Sequence, residues 1–528
     1  MHRNLTVLIC LLLFQLHGNS QILPKEGSSL NYRLIGFSFP VPENAAKCKL
    51  EIAAGAYDSE AIFKSNIIKS VDCKTGRIIV EVPSFGSDYT WRTVRTDGRS
   101  VENVSEWHHF STQTNINVDT ANMHLRIISN TGKYKNDYVF SDYNQALYDM
   151  DGNPVWFFPD PVGIVNGNSN IRDIKLTKEG TLTFIMGDRA CEVNYNGNIV
   201  WEAPNTIDAN GENSGHFHHE FTRLNSGHYM VLGGEAVSWR LPYLKNDSTY
   251  LTDDASIVKD SENTFSQKLK FGTLIEYDEK GKVVWSWKSS GYFKNSDLYK
   301  YHLPNGKFQI KDVHENSFYF DEKAKVAYIG FRDVSRILKV KYPEGVVLAE
   351  YGKTYKPDAS ELGNDLFCGQ HSIRISEKGD MLVYNNNAFT PGNIPKLEIL
   401  RQPANGKGLE KIWEYTCQLD GINKTEMDNN NKKIARMQNM RGRSKSTKTL
   451  MTSGGNFMAM PDGSYFASMN SPFSKIFIIS PEKKIMWSAL LERKNLQDDT
   501  WSALPVYRAN IITNRKDLEK FVWNTELK

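Results

Sequence analysis

Apolar and polar positions alternate in short runs along most of the chain, and the runs are separated by turns of Asp, Asn, Gly and Lys. One pattern recurs six times: an apolar strand end, a polar turn, and a second strand that usually ends at Trp. The copies are YDMDGNPVWFF (148–158), VNYNGNIVWEA (193–203), IEYDEKGKVVWSW (275–287), KVKYPEGVVLAEY (339–351), RQPANGKGLEKIWEY (401–415) and ISPEKKIMWSA (479–489). Short alternating runs joined by a turn predict antiparallel hairpins, and their recurrence predicts a repeat protein.

A second hairpin precedes five of these copies. Its sequences are IKLTKEGTLTFIMG, TRLNSGHYMVLGG, FYFDEKAKVAYIG, IRISEKGDMLVYN and AMPDGSYFASM. Together the two hairpins make a four-stranded antiparallel unit of roughly forty residues, the size of a propeller blade. We therefore expect an all-β chain whose main part is a six-bladed β-propeller over 117–492, with its least regular blade near MHLRIISNTGKYKNDYVFSDY (123–143).

The repeat region carries three further expectations. A propeller ring must close, and WSALPVYRANII (501–512) predicts the strand that completes it. The segments 235–271, 290–311 and 418–452 interrupt the repeat and are expected to form surface lids or disordered loops. The aromatic residues that end the recurring pattern are expected to pack between blades; they are Trp156, Trp201, Trp285, Trp413 and Trp487, with Tyr351 in the fourth copy.

The N-terminal part of the chain lacks this repeat. Residues 22–115 contain short strands, including a Tyr-x-Trp strand followed by a strand that ends in Trp, Phe and Thr. This pattern predicts a small β-sandwich of the fibronectin type III kind, which packs beside the propeller or spaces it. The expected organisation is a signal peptide at 1–20, the sandwich at 21–115 and the propeller with its closing strand at 116–528.

The first twenty residues predict the destination of the protein. They carry Arg3, an apolar run from Leu5 to Leu16, and small residues up to Ser20, as in a secretory signal peptide cleaved near Ser20. The run is too short to span a hydrocarbon core of roughly 30 Å, and no later stretch is long and apolar enough to do so. We therefore expect a secreted or periplasmic protein without a membrane span.

The charge balance limits the classes of partner that the sequence supports, and the cysteines suggest one disulfide. The 64 Lys and Arg residues nearly balance 61 Asp and Glu residues, so no overall excess of positive charge indicates nucleic acid as a partner. Any anion site must be local; the basic segment 432–448 either draws in anionic esters or is a solvated loop.

In an oxidising compartment Cys48 and Cys73 are the natural disulfide candidates. The sequence leaves open whether the protein forms a homodimer.

Candidate chemistry lies at the starts of the innermost strands, because these meet at one mouth of a propeller's central channel. Counting eight residues back from the glycine of the first turn gives His219 in blade three and His371 in blade five. In blade four the strand starts at His314, and the returning strand ends at Arg332. Only one of the adjacent side chains His218 and His219 can face the channel, and the offset from the glycine selects His219.

Two further residues occupy the same position with a less secure register. They are His124 in blade one and Arg172 in blade two. A guanidinium offers a planar fork of donors for a tetrahedral oxyanion, and an imidazole can donate, accept or attack near neutral pH. The expected ligand is therefore a sulfate or phosphate ester. The cluster His216, His218, His219 and Glu220 also resembles a metal-binding tract, although strand alternation splits these side chains between two faces.

Nearly the whole mature chain resembles the bacterial aryl-sulfate sulfotransferases, which are secreted or periplasmic six-bladed propellers with a small N-terminal β-sandwich. The resemblance is carried by HHEFTRLNSGHYMVL, by DVHENSFYF followed by IGFRDVSRI, and by QHSIRISEKGDMLVYNNN. It implies transfer of a sulfuryl group from a phenolic sulfate ester to a phenol by a ping-pong mechanism, without a nucleotide sulfate donor, a metal or another cofactor.

The resemblance also implies roles for four residues. His371 matches the nucleophile that becomes transiently sulfated, and His314 and Arg332 match the residues that hold the sulfuryl oxygens. His219 matches the histidine beside the phenol oxygen that assists proton transfer. Two alternatives remain from the residues alone: a metal-dependent propeller hydrolase, and a binding propeller without catalysis.

Overall fold

The computed structural model describes residues 21–41, 47–96, 102–159, 171–204, 217–242, 257–259, 264–298, 300–302, 308–310, 313–352, 366–388, 394–403, 408–421, 453–470 and 474–525. They fall into two compact units, Met1–Gln113 and Thr114–Lys528. Regular structure in both units is almost entirely β-strand, which confirms the all-β expectation. The predicted signal peptide and the basic segment 432–448 lie outside the described residues.

The N-terminal unit contains two sheets and a short helix, Glu60–Ser65. The larger sheet contains Ser28–Leu30, Lys47–Ala54, Ile67–Asp72, Asp88–Thr96, Glu102–Val104 and His108–Thr112, and the smaller pairs Leu34–Ser38 with Arg77–Glu81. Trp91 of the predicted Tyr-x-Trp strand is fully buried, and its ring lies 5.3 Å from that of Phe37 on the smaller sheet. The apolar alternation therefore buries one face of each sheet against the other.

The C-terminal unit begins with three sheets, numbered here along the chain. Sheet 1 contains Tyr138–Ser141, Ala146–Asp149, Pro154–Phe157 and the distant strand Ala509–Ile512. Sheet 2 contains Ile171–Leu176, Leu182–Met186, Arg189–Val193 and Ile199–Glu202. Sheet 3 contains Phe221–Arg223, Tyr229–Pro242, Ile257–Lys259, Thr264–Tyr277 and Val283–Lys288.

Three further sheets follow. Sheet 4 contains Glu315–Asp321, Val326–Phe331, Arg336–Lys341 and Val347–Gly352. Sheet 5 contains His371–Ile375, Met381–Asn385, Lys396–Arg401 and Glu410–Thr416. Sheet 6 contains Asn456–Ala459, Tyr465–Met469, Lys475–Ile479, Ile485–Lys494, Trp501–Ala503 and Met123–Asn130. A small pair joins Lys300–His302 to Phe308–Ile310, and single 3₁₀ turns occupy Ile116–Val118, Ser289–Gly291 and Asn295–Asp297.

The recurring aromatic residues join each sheet to the next. The indole N–H of Trp156 in sheet 1 donates to the carbonyl oxygen of Tyr195 in sheet 2 at 2.8 Å, and Trp487 in sheet 6 donates to Met150 in sheet 1 at 2.8 Å. Equivalent bonds run from Trp201 to Glu279, from Trp285 to Pro343, from Trp413 to Pro481, and from the Tyr351 hydroxyl to Gln402. The series passes through all six sheets and returns to the first, which confirms that these aromatics join neighbouring repeats.

Three features differ from the sequence expectations. Met123–Asn130, which the pattern assigns to the first blade, pairs with Ile485–Lys494 and belongs to sheet 6. Part of the segment expected as a surface loop at 235–271 instead extends two long strands of sheet 3, paired from Glu235–Phe271 to Pro242–Thr264. A helix that the pattern does not predict, Arg515–Trp523, buries Phe521 against Tyr195 at a ring distance of 4.7 Å. Among the described helices, none has the length and apolar character needed to cross a bilayer.

Candidate active site

Three histidines stand where the first strands of sheets 3, 4 and 5 begin, and the backbone there is strained. His219 and His314 have φ of +63° and +50°, and Ser372, directly after His371, has φ of +49°. The strand register shifts by one residue just after His314 and His371. Left-handed backbone at a non-glycine residue costs on the order of 1–3 kcal/mol, and such strained residues cluster at functional sites. Such bulges redirect the side chains that they carry.

The three imidazoles come together although they belong to different sheets. The ring centroid of His219 lies 5.2 Å from that of His314 and 6.4 Å from that of His371. Arg332 joins them, because its backbone N–H donates to the His314 carbonyl oxygen at 2.9 Å and its charge acts on the pKa of His371. The structure therefore brings together all four residues that the sequence singled out most strongly.

Of the two less secure residues, only one lies near this cluster. His124 is an error of the sequence analysis: it lies on an outer strand of sheet 6, bonds to Glu492 at 3.1 Å and stacks on Trp501 at 3.8 Å. The register fails there because the blade assignment of 123–130 is wrong. Arg172 starts the first strand of sheet 2, is exposed, and holds its guanidinium 5.2 Å from the ring centroid of Tyr507.

His371 is held in one orientation by an amide. It is 2% exposed, and its Nδ1 lies 2.6 Å from Asn386 Oδ1. The Asn386 amide nitrogen donates to the Gly454 carbonyl oxygen at 3.1 Å, so the amide oxygen must face the imidazole. An amide oxygen only accepts, so Nδ1 carries the hydrogen and Nε2 keeps its lone pair. That nitrogen is the one suited to nucleophilic attack.

His219 is held by its neighbour in the chain. The Glu220 N–H donates to the His218 carbonyl oxygen at 2.7 Å, so His219 is the central residue of a γ-turn, a rare and strained conformation. Its Nδ1 lies 2.8 Å from Nδ1 of His218, and Nε2 of His218 lies 2.9 Å from the Gly233 carbonyl oxygen. The His219 ring lies 5.2 Å from that of His314.

The electrostatics of the cluster favour the neutral forms of His371 and His219. Burial, Arg332 and His314 hold the pKa of His371 well below its usual value, with Arg508 acting in the same direction and the Asn386 bond opposing it. Burial and the rings of His218, His314 and His371 do the same for the pKa of His219. A neutral imidazole can act as a nucleophile or a base, whereas an imidazolium cannot.

A buried ion network supports the strand starts. Arg508, 1% exposed, contacts Asp173 at 2.8 Å and Glu220 at 3.4 Å, and also donates to the His219 carbonyl oxygen at 3.3 Å. Glu220 also pairs with Arg374 at 2.6 Å, which helps to lower its pKa to about 2. These residues fix the first strands of sheets 2, 3 and 5 relative to one another.

Sequence reasoning missed this network and also Tyr507. The Tyr507 ring centroid lies 6.1 Å from that of His219 and 6.4 Å from that of His371, so an aromatic surface borders the cluster. A signal for part of the network was present, since Asp173 and Glu220 directly follow the strand-start residues Arg172 and His219. Tyr507 and Arg508 gave no such signal, because they belong to no repeat.

The metal-binding interpretation meets no support in the described part of the chain. Within it, no three His, Cys, Asp or Glu side chains are arranged to hold a metal ion. His216 lies outside the described residues, and the Nδ1 atoms of His218 and His219 face each other at 2.8 Å.

Two of the solved structures that resemble the chain show distant similarity to it. A protein of unknown function from Bacteroides caccae is 11% identical, with a TM-score of 0.37, over 74% of this chain and 100% of that one. The periplasmic gluconolactonase PpgL of Pseudomonas aeruginosa is 8% identical, with a TM-score of 0.33, over 74% of this chain and 99% of that one. No curated protein sequence matches the chain.

The family comparison is specific. The sequence model described as Arylsulfotransferase (ASST) matches residues 112–416, more than half of the chain and the part that carries His219, His314, Arg332 and His371. The chain belongs to the arylsulfotransferase family.

Proposed function

We propose that the protein transfers a sulfuryl group from a phenolic sulfate ester to a phenolic acceptor in two half-reactions, through a covalent sulfohistidine at His371. The observation that carries this proposal is the convergence of three imidazoles beside Arg332: the His219 ring lies 5.2 Å from that of His314 and 6.4 Å from that of His371. Membership of the arylsulfotransferase family supports the substrate class.

In the first half-reaction, Nε2 of His371 attacks the sulfur of the donor. The N–S bond forms as the bond from sulfur to the phenolic oxygen breaks, and the phenolate leaves. Covalent catalysis of this kind lets one small site serve first the donor and then the acceptor. Asn386 supports the attack, because it keeps the hydrogen of His371 on Nδ1 and the lone pair on Nε2.

His314 and Arg332 hold the sulfuryl oxygens during both half-reactions. By analogy with phosphoryl transfer, the transition state is loose, so catalysis rests on positioning and on donors around the equatorial oxygens. A donor of this kind is often worth about 3–4 kcal/mol of barrier. In the second half-reaction the acceptor oxygen attacks the sulfohistidine, and His219 takes the phenolic proton.

The fold and destination complete the proposal. The six linked sheets are the blades of a six-bladed β-propeller over 116–528, closed by Ala509–Ile512, and the N-terminal unit is a fibronectin type III-like sandwich over 21–115. Residues 1–20 act as a signal peptide that directs the protein to the periplasm or the exterior.

Intact-mass analysis after incubation with 4-nitrophenyl sulfate, without acceptor, tests the proposal. Wild-type protein is expected to gain a sulfuryl group of about 80 Da, and His371→Ala is expected to gain none. His228→Ala is a matched control, because His228 lies in the turn before the strand Tyr229–Pro242 and bonds to Glu276 at 2.8 Å. Modification that persists in His371→Ala would contradict the proposed nucleophile.

A further inference from the structure

We propose that His218 is a positioning residue: it fixes the tautomer of His219, so that His219 presents an unprotonated Nε2 to the acceptor phenol. This inference rests on the proposed function, in which His219 receives the acceptor proton. It assigns a role to the second histidine of the His-His pair, which the sequence alone leaves without one.

The hydrogen-bond partners determine which nitrogen carries each proton in the series Gly233–His218–His219, called the relay below. The Gly233 carbonyl oxygen can only accept, and it lies 2.9 Å from Nε2 of His218, so that nitrogen carries a hydrogen. A neutral imidazole carries one N–H, which leaves Nδ1 of His218 as an acceptor. Nδ1 of His219 lies 2.8 Å away and must therefore donate. Because the single hydrogen of neutral His219 is on Nδ1, its Nε2 carries a lone pair and no hydrogen.

The relay is anchored in the backbone of sheet 3. The His218 N–H donates to the Leu232 carbonyl oxygen at 3.0 Å, and Gly233 lies on the strand Tyr229–Pro242. The opposite proton arrangement would leave the Gly233 oxygen facing a lone pair unless His218 were doubly protonated. Burial, assisted by the charges of His314, Arg172 and Lys270, lowers the pKa of His218 to about 4, so the doubly protonated form is disfavoured at neutral pH.

The proton path balances in the second half-reaction. The phenolic O–H proton moves to Nε2 of His219 as the oxygen forms its bond to sulfur. The N–S bond of the sulfohistidine breaks, and its electron pair returns to Nε2 of His371. His219, now an imidazolium, shares its Nδ1 hydrogen with Nδ1 of His218, so the positive charge spreads over two rings until the proton leaves to solvent.

The partner of His219 also sets the strength of the base. Among the described residues, no carboxylate is hydrogen-bonded to His218 or His219. A carboxylate would stabilise the imidazolium, as in catalytic triads, whereas a neutral imidazole does so weakly. The relay is therefore suited to acidic hydroxyl groups, and we expect phenols to be accepted and aliphatic alcohols to react poorly.

A pair of substitutions tests the relay kinetically. His218→Asn keeps an acceptor near the position of the original Nδ1, whereas His218→Leu has a similar size and no acceptor. We expect His218→Leu to lower kcat/KM for phenol by about 10- to 100-fold while kcat/KM for 4-nitrophenyl sulfate is unchanged, because that donor's phenolate leaves without a proton. His218→Asn is expected to keep most of the acceptor rate. Equal losses in the two variants, or a loss in the donor half-reaction, would overturn the inference.

A second readout does not depend on activity. In protein labelled with ¹⁵N-histidine, long-range proton–nitrogen correlation distinguishes an imidazole protonated on Nδ1 from one protonated on Nε2. Wild-type His219, assigned by comparison with His219→Asn, is expected to carry its hydrogen on Nδ1; a hydrogen on Nε2 would refute the inference even in an active enzyme. If wild type transfers no sulfuryl group, the proposed function fails, and the spectrum still decides whether His218 sets the tautomer.

Discussion

His371 and His219 start equivalent strands of sheets 5 and 3, yet their Nδ1 atoms are held by different partners. His371 is bonded to the Asn386 amide, which is anchored on the Gly454 carbonyl oxygen beyond sheet 5. His219 is bonded to the His218 imidazole, which is anchored within its own sheet. An amide does not titrate, whereas an imidazole can take up a second proton. The nucleophile is thus held in one tautomer, and the base is coupled to a group that can share charge.

Removing the Asn386 amide, which holds His371, should lower the activity most. In Asn386→Leu, His371 loses the acceptor that keeps its hydrogen on Nδ1. Because the N–S bond forms and breaks at the same nitrogen, we expect both half-reactions to slow by about 10²- to 10⁴-fold, the range of tautomer and general-base effects. The measurements are the rate of sulfohistidine formation by intact mass and kcat/KM for the acceptor phenol.

Asn386→Asp is the matched variant for this experiment. A carboxylate still accepts from Nδ1 but cannot donate to the Gly454 carbonyl oxygen, so we expect an activity between those of wild type and Asn386→Leu. A loss confined to the acceptor half-reaction in Asn386→Leu would show that Asn386 and His218 serve the same step, and the contrast between the two histidines would then fail.

Substitution of Arg332 should change the pKa of His371 more than that of His219. Burial and Arg332 are the two largest causes that lower the pKa of His371, whereas burial, His218, His314, His371 and Arg508 lower that of His219. His371 must be neutral to attack, so activity falls as the pH drops through its pKa. In wild type the acid limb of the donor half-reaction should lie below pH 6.5, the ordinary histidine value.

In Arg332→Gln, loss of the cation should raise the pKa of His371, so this acid limb should move to higher pH. The donor kcat/KM should also fall by about 10²- to 10³-fold, because a donor to the sulfuryl oxygens is lost. Arg332→Lys keeps the charge without the planar fork and should keep the acid limb while losing rate. An acid limb that does not move in Arg332→Gln would mean that the guanidinium does not act on His371.

The sequence predicted most of the fold because the fold is repetitive. Six copies of one hairpin with its terminal aromatic residue are a strong signal, and Trp156 and Trp487 join neighbouring sheets as expected. The prediction went wrong at the ends of the repeat, where 123–130 pairs with a strand more than 350 residues away in sequence. Pairing across such a distance leaves no local pattern to read.

The residues of the candidate site also divide into those with a local sequence signal and those without one. A fixed offset from a turn glycine identified His219 and His371, which the structure brings to a ring distance of 6.4 Å. Asn386 is one of three consecutive asparagines in the sequence, and no local pattern distinguishes it, because its bond to Gly454 forms only where neighbouring sheets meet. Arg508 could not be found at all, because its partners come from sheets far away in sequence.

The N-terminal unit offers the smallest expected effect on activity. Sγ of Cys48 and Sγ of Cys73 are buried and lie 2.8 Å apart, and the Cys73 N–H donates to the Cys48 carbonyl oxygen at 2.9 Å. Two thiols held this close can form a disulfide by exchange with oxidised glutathione, which is reduced in the reaction, but slowly, because burial raises the pKa of Cys73. The expected product is a protein lighter by about 2 Da, with Cys48→Ser as the variant that cannot form it.

Closing this 25-residue separation should stabilise the N-terminal unit by about 3 kcal/mol, mainly by restricting its unfolded state. In the unfolding transition of this unit, the oxidised protein should have a higher urea midpoint than Cys48→Ser. Reductant should remove this difference. Because neither cysteine belongs to the unit that holds His219 and His371, kcat/KM for donor and acceptor should be the same in the oxidised, reduced and substituted proteins. A change in only one half-reaction would instead mean that the N-terminal unit distinguishes between the two histidines.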